Sequence, residues 1–176
     1  MCGIVGAVTQ RNIYKILIEG LHRLEYRGYD SAGLSIIDSA GALQTRKNIG
    51  KVVELEKIAA FNPCAGNTGI SHTRWATHGE PSTINSHPHI SAGVSVVHNG
   101  IIENHDELRK EVVALGYEII SATDTEVIAH LVHHYLKSHG DLRSAVQKTI
   151  TRLEGAYALG VISETHPDTI IGARSG

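Results

Sequence analysis

Cys2 follows the initiator Met1 and precedes the small Gly3. Removal of Met1 would leave Cys2 as the terminal residue, with a thiol and a free α-amine on one residue. The α-amine titrates near ~7.7–8.0, so part of it is neutral at physiological pH and can accept a proton. A thiol reacts as its thiolate, with a free pKa near ~8.5. Nucleophile and general base would then arrive together. The plainer reading is a small buried residue at the start of a strand, since free Cys is among the most buried residue types. Three further stretches offer polar groups to a small substrate. Arg74-Trp75-Ala76-Thr77-His78-Gly79 joins a planar donor fork, suited to a carboxylate, to the single Trp and to two hydrogen-bonding side chains. Asn99-Gly100 sets a side-chain amide beside a backbone N–H, a pair able to point at one oxygen; as a dipeptide it also suits a type I′ turn. Asp124 could accept an ammonium, or could simply be a favourable charge at the positive end of a helix.

The histidines invite a metal reading, through His87-Pro88-His89 and through His130 and His134 four residues apart. No cysteine or carboxylate cluster is spaced to complete such a site, so no metal and no cofactor are expected. Cys64, in Asn62-Pro63-Cys64-Ala65-Gly66, reads as incidental.

These residues must be held by regular elements. Residues 3–9 read as a buried strand. Ile13, Ile16, Leu17, Leu21 and Leu24 fall at helical spacing behind Asn12 as N-cap. Residues 25–31 form a loop of mixed charge, aromatics and Gly. Strands over 33–38 and 43–48 flank the turn Asp38-Ser39-Ala40-Gly41. A helix over 50–61 and a strand over 68–73 follow. The strand opens into a long polar region, 74–91, a kind of connection that tends to be functional. The strand at 94–98 ends in Asn99-Gly100, read as a turn. Helices are expected from Asn104, with Glu107 completing a capping box, and from a second capping box, Thr123-Asp124-Thr125-Glu126, which sets Asp124 at the first helical position. Asp141 caps a further helix, and strands over 156–163 and about 168–174 close the chain. Strands adjacent in sequence, with helices grouped together, predict an α+β domain of antiparallel sheets with helices packed outside.

At 176 residues the chain is expected to form one domain, able to bury roughly 70% of its unfolded surface. Net charge −2 gives no electrostatic case for nucleic acid or an anionic membrane. The apolar runs are too short to span a bilayer, and the N-terminus has no basic n-region before an apolar core. Two cysteines make no disulfide framework, so a cytoplasmic location is expected. Twelve His and eighteen Gly against only 5% aromatics suggest polar loops converging on a site. The chain ends at Ala173-Arg174-Ser175-Gly176, straight after an apolar strand, which suggests a domain cut from a longer protein.

Taken together, five blocks resemble the class II, or N-terminal-nucleophile, glutamine amidotransferases. They are Cys2-Gly3-Ile4-Val5-Gly6, residues 24–33 around Tyr26-Arg27-Gly28-Tyr29-Asp30, residues 71–81 around Arg74-Trp75, His98-Asn99-Gly100-Ile101-Ile102-Glu103-Asn104, and Thr123-Asp124-Thr125-Glu126. The blocks around Tyr26 and Trp75 are nearest those of the aminosugar-forming branch, the glucosamine-6-phosphate synthases, rather than the branches serving purine, asparagine or glutamate pathways. The resemblance implies a four-layer αββα sandwich over residues 1–176 and hydrolysis of the glutamine side-chain amide through a Cys2 thioester. It implies Asn99 and Gly100 as oxyanion donors. Arg74 would bind the glutamine α-carboxylate and Asp124 its α-ammonium. Trp75, Thr77, His78 and Gly100 would line the same pocket. Arg27 would support the nucleophile, and residues 74–81 would close as a lid. L-glutamine is the implied ligand. In the full-length enzyme, a homodimer, a C-terminal sugar-phosphate isomerase region (absent after Gly176) would transfer the ammonia to fructose 6-phosphate. A glutamine-binding regulatory module and a His-based metallohydrolase are the competing classes.

Overall fold

The small and β-branched run Gly3–Val8 forms the first strand, β1, and the apolar stripe Leu17, Ile18 and Leu21 forms the buried face of α1 (Tyr14–Leu24). The computed structural model describes residues 2–75 and 80–176. A single 3₁₀ turn, Glu25–Arg27, leads to the hairpin β2 (Ser31–Ile37) and β3 (Leu43–Ile49), then α2 (Val52–Phe61) and β4 (Thr68–Arg74). The second half comprises β5 (His89–Ser91), β6 (Val94–Gly100), the helices α3 (His105–Ala114), α4 (Glu126–His139) and α5 (Leu142–Ile150), and a final hairpin of β7 (Tyr157–Ser163) and β8 (His166–Ser175).

The strands make two four-stranded sheets, ordered β1-β4-β2-β3 and β5-β6-β7-β8, with antiparallel pairing throughout. Helices α1 and α2 cover one sheet through Ile13, Leu17, Leu21, Leu34, Ile36 and Leu55. Helices α3, α4 and α5 cover the other through Leu108, Val112, Ile128, Leu131 and Val146 against Val94 and Val96. Between the sheets lies a third apolar layer of Ile37, Ile70, Val97 and Ile162, joined by Ile4, Leu43 and Ile170. The order is helix, sheet, sheet, helix: the αββα sandwich that the family resemblance implies, with the antiparallel sheets and outer helices that the sequence pattern predicts.

Strand parity decides what this inner layer meets at its ends. Residues two apart on a strand share a face. Ile70 therefore shares its face of β4 with His72 and Arg74, and Val97 shares its face of β6 with Asn99. In the β1–β4 pairing Ile4 lies opposite His72 and Gly3 opposite Thr73. Cys2 shares parity with Ile4, so it falls at the same end of the sandwich. The inner layer thus holds an apolar cluster around Ile70 and Val97, flanked by the buried Ser35–Ser95 hydrogen bond at 2.9 Å, and carries the predicted site residues at one end.

Three local expectations are corrected. Asn99 and Gly100 are not a turn; they continue β6, opposite Ala158 and Tyr157 of β7. Asn104 does not form a capping box, because its amide donates to the Arg152 carbonyl and accepts from the Glu154 N–H. Thr123-Asp124-Thr125-Glu126 is not one either, since α4 starts only at Glu126 and Asp124 precedes it. The Glu126 carboxylate instead accepts from the Ile120 and Ser121 N–H groups and the Ser121 hydroxyl, tying down the approach to Asp124. Asp141 does cap α5, accepting from the Ser144 N–H at 2.8 Å.

Ile70 is fully buried where both sheets meet. Ile70→Ala is expected to lower the unfolding free energy by about 2–5 kcal/mol in urea titrations. A loss below about 1 kcal/mol would contradict a shared inter-sheet core.

Candidate active site

The polar end of the sandwich opens into a cavity of about 530 Å³. Six residues singled out in the sequence line it: Cys2, Arg74, Trp75, Asn99, Gly100 and Asp124. Arg27 lines it as well. They come from the start of β1, the end of β4, the end of β6 and the loop before α4, so the fold converges at this point segments far apart in sequence.

Cys2 is half-buried. The Trp75 N–H donates to its Sγ at 3.2 Å, and Sγ lies 3.6 Å from the Trp75 carbonyl. Burial pushes the thiol pKa up, and the hydrogen bond from Trp75 opposes part of that rise by favouring the thiolate. Trp75 itself is exposed, and its ring meets Tyr29 edge-on at 6.1 Å. Met1, Thr77 and His78, with residues 76–79 of the 74–81 loop read as a lid, lie outside the described residues.

Asn99 has its amide fixed on both sides. Nδ2 donates to the Cys2 carbonyl at 3.2 Å, and Oδ1 lies 2.8 Å from His72 Nε2. Gly100 has φ +113°, and a Cβ there would lie 2.1 Å from the Ala156 carbonyl oxygen. Only glycine fits this backbone beside Asn99.

Arg74 is buried at the end of β4, with Nη1 3.7 Å from the Asp30 carboxylate. Asp30 is held by the Ser31 hydroxyl and donates its own N–H to the Arg74 carbonyl. Asp124 is also buried; its Oδ2 accepts from the Ile102 N–H at 2.9 Å, and Oδ1 lies 3.8 Å from His98 Nδ1. Arg27 is exposed at the rim, its Nε donating to the Tyr26 hydroxyl. Arg27, Arg74 and Arg174 face the cavity against Asp124 as the single acidic side chain among the described lining residues. This wall favours a small solute carrying a carboxylate, with one acidic position for a cation.

Sequence reasoning did not single out Asp30, His72, His87, His98 or Thr125 for the site. His72 and His87 meet with ring centroids 4.1 Å apart. His87 Nε2 and His98 Nδ1 both reach Thr125 Oγ1, at 2.7 and 2.8 Å. The signal available for His72 was parity with the core residue Ile70. His87 lies in the 80–88 segment, which has no regular structure to give it a parity. Lys47 of β3 clamps that segment by donating to the Ser86 and Pro88 carbonyls. Gly33 of β2 lets it approach, since a Cβ there would lie 2.0 Å from the His87 carbonyl oxygen.

The description "Glutamine amidotransferase domain" matches residues 72–175, more than half of the chain. The chain belongs to the glutamine amidotransferase family. Over its whole length it is 62% identical to the glutamine–fructose-6-phosphate aminotransferase (isomerizing) of Pseudomonas putida and 57% identical to that of Escherichia coli K12. It spans 29% of the length of each of these relatives. Among solved structures it is similar to the glutamine phosphoribosylpyrophosphate amidotransferase of B. subtilis, with 27% identity and a TM-score of 0.83, covering 99% of this chain and 37% of that one. A glutamine aminotransferase class-II domain protein from Silicibacter pomeroyi shares the fold at 17% identity and a TM-score of 0.60, covering 84% of this chain and 69% of that one.

In this amidotransferase chain His72, His87 and His89 are buried as neutral rings. Burial holds His72 and His89 at about 3 and His87 well below its ordinary value. Unfolded, each would titrate near ~6.5. Between these values the unfolded chain binds more protons, so stability is complete above about pH 7 and falls as the pH drops. Each proton contributes about 1.4 kcal/mol per pH unit. Denaturant titrations are therefore expected to lose up to about 4 kcal/mol per unit between pH 6 and 5, above the range where carboxylates protonate. Constant stability from pH 7 to 5 would contradict neutral burial.

Proposed function

We propose that this chain hydrolyses the side-chain amide of L-glutamine to glutamate and ammonia through a thioester on Cys2. One observation carries the reading: Cys2, Asn99, Gly100, Arg74 and Asp124 line a single cavity in a chain of the glutamine amidotransferase family. A carboxylate binder, an ammonium acceptor and an amide donor beside a thiol match the α-carboxylate, α-ammonium and δ-carbonyl of glutamine.

Once Met1 is removed, the Cys2 α-amine takes the thiol proton and Sγ attacks the δ-carbon. The carbonyl π pair moves onto oxygen, and Asn99 Nδ2–H and the Gly100 N–H stabilise the oxyanion. The oxyanion then collapses, the C–N bond breaks, and the Cys2 ammonium protonates the departing nitrogen, which leaves as ammonia. A water molecule, deprotonated by the same amine, attacks the thioester carbon; the C–S bond then breaks, glutamate leaves, and the ammonium returns its proton to Cys2 Sγ. Arg74 holds the α-carboxylate and Asp124 the α-ammonium, which orients the δ-carbonyl toward Sγ. Trp75, Thr77 and His78 close the pocket around the substrate. The 74–81 loop acts as a lid that keeps water from the thioester until ammonia has left. Arg27 supports the rim behind Cys2.

Residues 1–176 are the glutaminase domain of a longer, homodimeric enzyme. In it, a sugar-phosphate isomerase region transfers the ammonia to fructose 6-phosphate to form glucosamine 6-phosphate. The identity to the two aminotransferases, and the 29% of their length that this chain spans, support that reading. Alone, the chain releases ammonia and makes no amino sugar.

The test is ammonia release from glutamine by wild type and Cys2→Ala, with intact mass reporting the loss of Met1. Release by the wild type, reduced at least ~10³-fold in Cys2→Ala while glutamine binding persists, is expected for a covalent nucleophile. Equal, negligible release by both, from wild-type chains lacking Met1, would favour a glutamine-binding module. Chelator-sensitive release that survives Cys2→Ala would favour a metallohydrolase.

A further inference from the structure

Behind Asn99 runs a line of buried hydrogen bonds whose direction is set from one end. The Cys2 carbonyl can only accept, so the Asn99 atom 3.2 Å from it is Nδ2. Oδ1 therefore faces His72, and His72 Nε2 must carry the proton it donates at 2.8 Å. His72 is fully buried and neutral, which leaves its Nδ1 bare. The next contact joins His72 Nδ1 to His87 Nδ1 at 3.1 Å, so His87 carries its proton on Nδ1. The bare His87 Nε2 then accepts from the Thr125 hydroxyl at 2.7 Å. The alternative acceptor for that hydroxyl, Asp124 Oδ1, is farther away at 3.5 Å. With its one proton committed, Thr125 Oγ1 accepts from His98 Nδ1–H at 2.8 Å.

We propose that His72 is a positioning residue for the hydrolysis: its Nε2–H holds the Asn99 carboxamide with the N–H side, not the oxygen, toward the reacting carbonyl, and His87 and Thr125 fix which nitrogen of His72 bears that proton. The inference rests on the reading of Asn99 as an oxyanion donor. An Asn amide is nearly symmetric in shape, and a half-turn would aim a lone pair at the developing oxyanion. The Cys2 carbonyl also favours the productive orientation, but it belongs to the nucleophile itself, which precedes the paired strand β1. His72 is held in mid-strand on β4, opposite Ile4 and Gly33 of the flanking strands. The site therefore keeps its donor oriented before substrate arrives, as electrostatic preorganisation requires.

The experiment combines a mutant cycle with a direct reading of the tautomers. Asn99→Ala is expected to lower glutaminase kcat by ~10²–10³-fold. His72→Ala is expected to lower kcat by roughly 10–100-fold with KM changed less than about 3-fold, as a partial loss of the same donor. His72→Gln, which keeps an N–H at the Nε2 position, should recover most of that loss. The double variant His72→Ala/Asn99→Ala should be no more than about 2-fold slower than Asn99→Ala alone, because residues acting through one group are not additive. Additive losses, or a His72→Ala effect confined to KM or thermal stability, would overturn the proposal. Imidazole ¹H–¹⁵N spectra of the resting wild type keep the test independent of variant folding. Neutral His72 protonated on Nε2 and neutral His87 protonated on Nδ1 support it, and the opposite tautomers overturn it. A wild type lacking Met1 yet unable to hydrolyse glutamine would overturn the functional reading instead, and the tautomers would then judge the hydrogen-bond order alone.

Discussion

Two sheets stacked face to face bury the side chains between them, and any polar group in that layer must find its partner there. The hydrogen bond from His72 to Asn99 meets this constraint at the site end by joining β4 of one sheet to β6 of the other, as the Ser95–Ser35 bond does farther along β6 and β2. On one side of it lies the apolar centre of the layer, Ile70 and Val97. On the other lies the cavity. Leaving either polar group without its partner would cost about 1–3 kcal/mol, so the contact fixes how far the sheets can slide past each other at this end. Close packing at the centre and hydrogen bonding at the end thus select one alignment of the sheets.

The chemistry follows from that alignment. Antiparallel pairing of β1 with β4 carries the start of the chain to the end of β4, so Cys2 meets the Trp75 N–H. Pairing of β6 with β7 holds Gly100 against Ala156 and Tyr157, in a backbone shape open to glycine alone. The loop before α4 is tied down through Glu126. Burial would raise the Glu126 pKa, yet the His130 ring 3.6 Å away and hydrogen bonds from Ile120 and Ser121 outweigh that and hold it at about 2. Asp124 is consequently presented by backbone contacts rather than by a helix end. The proposed substrate contacts come from the start of β1, the end of β4, the end of β6 and the loop before α4, so their convergence depends on both sheets.

Much of this was legible in the sequence. The periodicity of Ile13, Leu17 and Leu21 marked α1, the grouping of strands and helices marked antiparallel sheets with helices outside, and the family resemblance added their four-layer stacking. The five motif blocks marked residues that share the cavity. The failures share a physical cause. Thr123, Glu126 and Asn104 have the types and spacing of capping residues, but local propensity is weak beside long-range partners. Glu126 is drawn to the backbone at Ile120 and Ser121, and Asn104 to Arg152 and Glu154. Asn99-Gly100 has the composition of a turn, yet a partner strand was available to extend β6. The histidine line was not legible because His72, His87 and His98 arise from two strands and an irregular segment, and their adjacency exists only once the sheets stack.

The central claim is that Cys2 is the nucleophile and that its freed amine is the base. The most direct measurement is peptide-resolved mass spectrometry after reaction with a glutamine-like electrophile, compared between chains with and without Met1. A single adduct on Cys2 of the Met1-free chain, blocked by excess glutamine and absent from chains that retain Met1, is the predicted result. An adduct on Cys64 instead, or equal labelling of Cys2 whether or not Met1 is attached, would contradict it.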